Sequence, residues 1–325
     1  MDNLLFILSF VMLFIGGEFL VKSSVAIALK MRISTLVVGM TVVSFATSAP
    51  ELFVSIKSAL DGVTDITFGN VIGSNIANIT LVLGLTAMVF QVKITQQTYL
   101  LNYPVMLFTS VLFGVILFFF GEVTRSVGVI FVSLLVVFAL VLIRRSRKEN
   151  KVLSEQERQE YESASKTPLL ASILYMVVGV VLLAFGSEFL VNGVGEIAKS
   201  FDISERVISV SLVALGTSIP ELATSLVAAF RKESNLAIGN LIGSNIFNVL
   251  AVLGITSIIT PIKLNNNTLS HFPPIIDDYL WMMSSILLLG VFIYILSKKN
   301  LTRTEGLFMF LFYLIFMFFL LTDYI

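Results

Sequence analysis

The sequence predicts an all-α polytopic membrane protein, ten transmembrane helices arranged as two inverted five-helix repeats. Three observations predict it. Hydrophobic residues make up 57% of the 325 and charged ones 13%, with a mean hydropathy of +0.97; a soluble domain is nearer half apolar and a quarter charged. Ten apolar runs reach the roughly 20 residues that a helix needs to cross a bilayer. The segment Ile33–Gly84 recurs at Ile203–Gly254 with a constant offset of 170 and 22 of 52 positions identical.

The runs are, in order, 4–29, 33–60, 66–90, 98–120, 125–144, 168–197, 204–230, 235–260, 276–297 and 303–322. The first lacks a basic leader and a small-residue cleavage site, which reads as a mature span rather than a cleaved signal. The longest polar segment, Arg144–Lys166, divides the runs into two sets of five. The organisation is therefore a first repeat over 1–143, a linker over 144–167 that reads as a solvated loop, and a second repeat over 168–325. Five is odd, so the second copy enters the membrane upside down, an arrangement that transporters use with the substrate site near the midplane. Lys and Arg set orientation. With the linker inside, its side holds 15 basic residues and the other side 5. That places both termini outside and the linker in the cytoplasm.

Composition also excludes. There is no cysteine, so disulfides, thiol catalysis and cysteine metal sites are absent. Lys plus Arg equals Asp plus Glu at 21 each, which argues against a nucleic-acid partner. The single histidine, His271, reads as a plain loop residue.

The chemistry lies in the repeated segment. FATSAPE ends at Glu51 and LGTSIPE at Glu221. An ionisable residue inside a span defaults to function. On a helix, Ser44, Thr47, Ser48, Glu51 and Ser55 share one face, as do Ala214, Thr217, Ser218, Glu221 and Ser225. Pro50 and Pro220 lack an N–H, so the carbonyls of Ala46 and Gly216 lose their helical partners, which a membrane tolerates only where something else satisfies them. The next span carries GNVIGSNIAN and GNLIGSNIFN. Asn70, Ser74 and Asn78 are four apart and face one way, and Asn240, Ser244 and Asn248 match them. Gly69, Gly73, Gly239 and Gly243 permit close helix contact. Together the two copies offer two carboxylates, hydroxyls, amides and freed carbonyls, all of them oxygen donors. Hard cations such as Ca2+ take six to eight oxygens; softer metals would want His or Cys. Two carboxylates carry a charge that one Ca2+ neutralises, and Na+ could use the same oxygens in separate sub-sites.

Other ionisable residues read more plainly. Glu18 is four residues from Lys22 and suits a helical pair; Glu188 sits opposite Asn192. Both read as structural or near the interface. Asp61 and Asp65 read as solvated loop residues.

The paired TS-x-PE and GN-x-x-GSN-x-x-N motifs, duplicated and inverted, resemble the alpha repeats of the sodium/calcium exchangers in the cation/calcium exchanger superfamily. The likeness covers most of the chain and suits a compact prokaryotic member in the plasma (inner) membrane. It implies a Ca2+ site at Glu51, Glu221 and the carbonyls of Thr47 and Thr217. It implies Na+ sites at Ser48, Ser74 and the Ser44 carbonyl, and at Ser218, Ser244 and the Ala214 carbonyl, with Asn78 and Asn248 lining the middle. It also implies that the first and sixth spans slide as a gate against the other eight. Asn248 stands where potassium-dependent members carry Asp, which argues against K+ dependence. Ca2+ and Na+ are then transported substrates rather than cofactors, the lipid bilayer is the surrounding partner, and a monomer is the expected functional unit.

Three readings follow: an antiporter driven by Na+, one exchanging Ca2+ for protons through coupled titration of the two glutamates, and a cation channel with a carboxylate ring. An intramembrane hydrolase is disfavoured, because no His or Lys adjoins the motif to activate Ser48 or Ser218.

Overall fold

The computed structural model describes residues 2–149, 168–200, 216–264, 274–296 and 300–322. Within them the chain is helical apart from four two-residue strands and short connecting turns. Helix α1 spans Asp2–Met31. A bent pair follows, α2 over Thr35–Thr47 and α3 over Ala49–Leu60, then α4 over Thr64–Val89 and α5 over Thr98–Phe120. Helix α6 spans Arg125–Glu149 and α7 Leu169–Ser200. Helix α8 is the short apolar Ile219–Phe230. Helices α9, Ser234–Ile259, α10, Ile275–Leu296, and α11, Arg303–Thr322, complete the order.

Among the described residues, eight helices are long and apolar enough to cross a membrane, and the α2–α3 pair makes nine. The expected span 204–230 is represented by α8 alone, its first part lying outside the described residues. The apolar run 125–144 lies within α6, which continues to Glu149 and carries the first six linker residues as helix. Arg, Lys and Glu are good helix formers, so the charged run extends the helix beyond its apolar stretch.

Pro50 causes the bend. It occupies the first turn of α3, where a missing N–H costs nothing, and the chain turns by 43° between Thr47 and Ala49. Ser48, at φ −85° and ψ 8°, takes up the break. Pro220 holds the same place in α8, after Ser218 at φ −88° and ψ −1°.

Helices α4 and α9 form the centre. In their apolar windows 83% and 78% of residues are buried, against 22–44% for the other spans. Both contain a π-helical turn, Ala77–Val82 in α4 and Asn248–Leu253 in α9, placing Asn78 and Asn248 where the helices widen. The outer helices turn apolar side chains outward, among them Phe119 and Leu170, a surface suited to lipid.

Contacts between the halves come in reciprocal pairs. Strand β1, Val92–Lys93, pairs antiparallel with β4, Asn300–Leu301. Strand β2, Glu122–Val123, pairs with β3, Ile262–Lys263, where Lys263 and Glu122 form an ion pair at 3.2 Å. Each ladder joins one loop from each half, and each joins loops that the Lys and Arg count assigns to one side. Gly84 meets Gly306, and Gly254 meets Gly128, through backbone approaches too close for side chains. Tyr103 Oη donates to the Ile286 carbonyl at 2.9 Å, and Tyr279 Oη to the Ser110 carbonyl at 3.1 Å. Gly290 and Gly114 are the notches that admit these two rings.

Candidate functional site

The bend brings polar residues to the centre of the molecule. Ser44, Thr47, Ser48, Glu51 and Ser55 from α2–α3 are all buried. So are Thr217, Ser218, Glu221 and Ser225 beside and within α8, and Asn70, Ser74, Asn78, Asn240, Ser244 and Asn248 on α4 and α9. Glu51 and Glu221 are each 0% exposed and each lies in a first helical turn, where the helix dipole favours negative charge.

Hydrogen bonds tie the two copies together at this point. Ser48 Oγ donates to Glu221 Oε1 at 3.3 Å, and Ser244 Oγ to the same oxygen at 3.5 Å. Thr47 Oγ1 donates to Asn240 Oδ1 at 3.1 Å and lies 3.5 Å from Ser244 Oγ. The exchanged contact exists as well: Ser74 Oγ is 3.2 Å from Thr217 Oγ1. Asn70 Nδ2 donates to the Glu51 carbonyl and to Ser55 Oγ, both at 3.0 Å, clamping α4 against α3.

Beside these bonds stands a set of buried oxygens without partners. Both carboxylate oxygens of Glu51, Oε2 of Glu221, Ser218 Oγ, Oδ1 of Asn78 and Oδ1 of Asn248 are unsatisfied. The Ser74–Thr217 contact from one side and the Ser48–Glu221 bond from the other gather residues of both copies into this one buried cluster. A buried charge without partners is costly. Two together, among unpaired oxygens, form a donor set complementary to a hard cation. Among the described residues there is no group of three or more His, Cys, Asp and Glu, so hydroxyl, amide and carbonyl oxygens would have to complete any coordination shell.

Most of the residues singled out in the sequence converge here. Ala214 lies outside the described residues. Ser44 converges differently: its hydroxyl donates to the Gly39 carbonyl at 2.7 Å and the Asn240 carbonyl at 2.9 Å, which locks α2 to α9, and its own carbonyl accepts from the Ser48 N–H at 2.9 Å. The Gly216 carbonyl, left without a helical partner by Pro220, accepts from Ser187 Oγ of α7 at 2.6 Å; a neighbouring helix satisfies it. Asn75 was not singled out. It is buried and its Oδ1 accepts from Asn248 Nδ2 at 3.0 Å, joining α4 to α9. The GSN triplet, repeated with Asn75 and Asn245 at matched positions, carried that signal.

The family model for the sodium/calcium exchanger protein matches residues 3–144 and 171–322, nearly all of the chain. The chain belongs to the sodium/calcium exchanger family. Among its relatives, the sodium/calcium exchanger MaX1 of Methanosarcina acetivorans is 29% identical over 352 residues, covering 97% of each chain. The inner membrane protein YrbG of Escherichia coli is 34% identical over 231 residues, covering 70% of this chain and 71% of its own. In three dimensions the fold matches the sodium-calcium exchanger NCX_Mj, in a crystal soaked with 2.5 mM Na+ and 0.1 mM Sr2+. There the TM-score is 0.79 at 28% identity, covering 97% of this chain and 98% of that one. This exchanger-family chain is an integral membrane protein, and its family comprises transporters rather than enzymes.

Proposed function

We propose that the chain exchanges Na+ for Ca2+ across the plasma (inner) membrane of a prokaryote by alternating access, as a monomer of ten spans in two inverted repeats. Glu51 and Glu221, with the carbonyls of Thr47 and Thr217, hold Ca2+. Ser48, Ser74 and the Ser44 carbonyl serve Na+ toward one end, and Ser218, Ser244 and the Ala214 carbonyl toward the other. Asn78 and Asn248 line the middle. The observation that carries this reading is the pair of fully buried carboxylates, one per copy, set among unpartnered oxygens. One divalent ion, or monovalent ions in its place, neutralises them. A site left bare would carry two uncompensated charges into a closed cavity, which opposes the conformational change. That penalty couples efflux of one ion to entry of the other. The family match and the likeness to NCX_Mj support the choice of ions, and the reciprocal contacts between the halves support inversion. Both termini then face outward and residues 144–167 the cytoplasm.

The test is radiolabelled Ca2+ uptake into proteoliposomes loaded with Na+, against vesicles loaded with choline at the same pH and vesicles with an imposed pH gradient. Uptake that requires internal Na+ and vanishes in Glu221→Gln is the expected result. Uptake that ignores Na+ and follows the pH gradient would replace Na+ by protons as the coupled ion. Flux without any counter-ion would make the protein a channel.

A further inference from the structure

Helix α1 lies along α8, and the fit is close. A Cβ on Gly17 would fall 2.9 Å from Val227 Cγ2 and 3.4 Å from the Ala223 carbonyl. One residue on, Glu18 meets the end of α8. Arg231 donates through Nε to Glu18 Oε1 at 2.8 Å and through Nη2 to Oε2, a two-pronged pair, while Lys22 lies 3.2 Å from Oε2 on the other side. The Glu18 side chain is only 17% exposed. A bidentate arginine–carboxylate pair is the geometry in which an ion pair holds best.

The second copy keeps the carboxylate but lacks the glycine and both cations of this contact. At the repeat offset of 170, Gly17 corresponds to Ser187, Glu18 to Glu188, Lys22 to Asn192 and Arg231 to Asp61. The face of α3 that corresponds to Ala223 and Val227 is Phe53 and Lys57, and Phe53 is 70% exposed. Instead of lying on α3, α7 stands off from it. A cavity of about 240 Å3 remains between them, bounded by Ala49, Pro50 and Phe53 on one side and Val181 and Ala184 on the other. The molecule is thus closed where α1 meets α8 and open where α7 faces α3. In an inverted repeat, the opposite state exchanges these two arrangements.

From this asymmetry we infer that the Glu18–Arg231 pair is a one-sided latch: it holds α1 shut on α8 in the state seen here, and no two-pronged arginine pair forms in the exchanged state, where Asp61 takes the place of Arg231 and Lys57, a single-pronged cation, is the partner left to Glu188. The exchanged state replaces a two-pronged attraction with a single-pronged one, so the charges bias the resting equilibrium toward closure of the α1–α8 side. The inference rests on the alternating-access reading above. On the sidedness read from the basic residues, the closed side is cytoplasmic and the open cavity faces outward.

The chain has no cysteine, so two introduced thiols report without interference. Spin labels on Phe53→Cys and Val181→Cys, which border the cavity, measure the α7–α3 separation in full-length protein in lipid vesicles. The expected result is one dominant long distance in the parent and a shorter population that grows roughly threefold or more in Arg231→Gln, a ratio on the scale of one modest ion pair. Asp61→Arg, which leaves the existing pair intact and offers Glu188 a two-pronged partner, should enlarge the same short population. In a Lys22→Gln background, which spares the new cation a like charge four residues on, the charge swap Glu18→Arg with Arg231→Glu should return the parent distribution, which separates a lost charge pair from a damaged fold. Distances that ignore both Arg231→Gln and Asp61→Arg, in a protein that still exchanges Ca2+, overturn the latch and leave the exchange reading standing. A single distance in every variant and ion condition, with no Ca2+ uptake, overturns both.

Discussion

Ser48 donates its hydroxyl to Oε1 of Glu221 at 3.3 Å, so the bend of the first copy touches the carboxylate of the second. Neither half owns the candidate site. Ser48→Ala should therefore act across the boundary between the halves. Half-saturation by Na+ should rise several-fold while Ca2+ half-saturation moves less, read from Na+ titrations of Ca2+ uptake. Equal weakening for both ions would place Ser48 in the Ca2+ shell instead.

Glu51 predicts a dissociation between stability and binding. Both its oxygens are buried and unpartnered, so Glu51→Gln removes a costly charge without breaking a side-chain bond. In Ca2+-free detergent the variant should melt no lower than the parent. Ca2+ at 100 times its Kd should stabilise the parent by about 2.7 kcal/mol, and the variant should lose most of that gain. Thermal scans with and without Ca2+ decide it; an undiminished Ca2+ shift would remove Glu51 from the site.

Asn70 predicts the reverse pattern. Its amide spans the Glu51 carbonyl and Ser55 Oγ. Asn70→Ala strands buried polar atoms, at a cost of about 1–3 kcal/mol. A lower melting temperature is expected without Ca2+ as with it. Unchanged stability would mean that α3 and α4 do not depend on this clamp.

Gly239 reports on the approach of α2 to α9. A Cβ there would sit 2.5 Å from the Leu36 carbonyl, a backbone atom with no room to retreat. Gly239→Val should abolish a monodisperse peak in size-exclusion chromatography. A variant that remains monodisperse and transports would show that the two helices can separate.

The apolar runs made the membrane helices legible, because lipid demands long apolar segments, and the 170-residue offset pointed to a duplicated motif. The buried cluster that forms the candidate site was legible for a related reason: Glu51 and Glu221 stand out against an apolar background. What the sequence withheld was contact between distant elements. Nothing in the spacing links Glu18 to Arg231, 213 positions away, whereas the helical neighbour Lys22 was visible at once. The fate of the Gly216 carbonyl was hidden likewise, since Pro220 shows that a helical partner is lost but not that Ser187 replaces it. The end of α6 was hidden as well, because hydropathy marks where lipid stops, not where backbone hydrogen bonding stops.

The reciprocal tyrosines bear on biogenesis. Tyr103 reaches for the Ile286 carbonyl and enters the notch at Gly290, and Tyr279 enters the one at Gly114. The half synthesised first therefore leaves the ribosome with one ring unseated and one notch unfilled, and it can finish packing only when its sister arrives. Synthesis of the two halves as one polypeptide guarantees that each finds its complement in the same patch of bilayer, at equal dose and without a search.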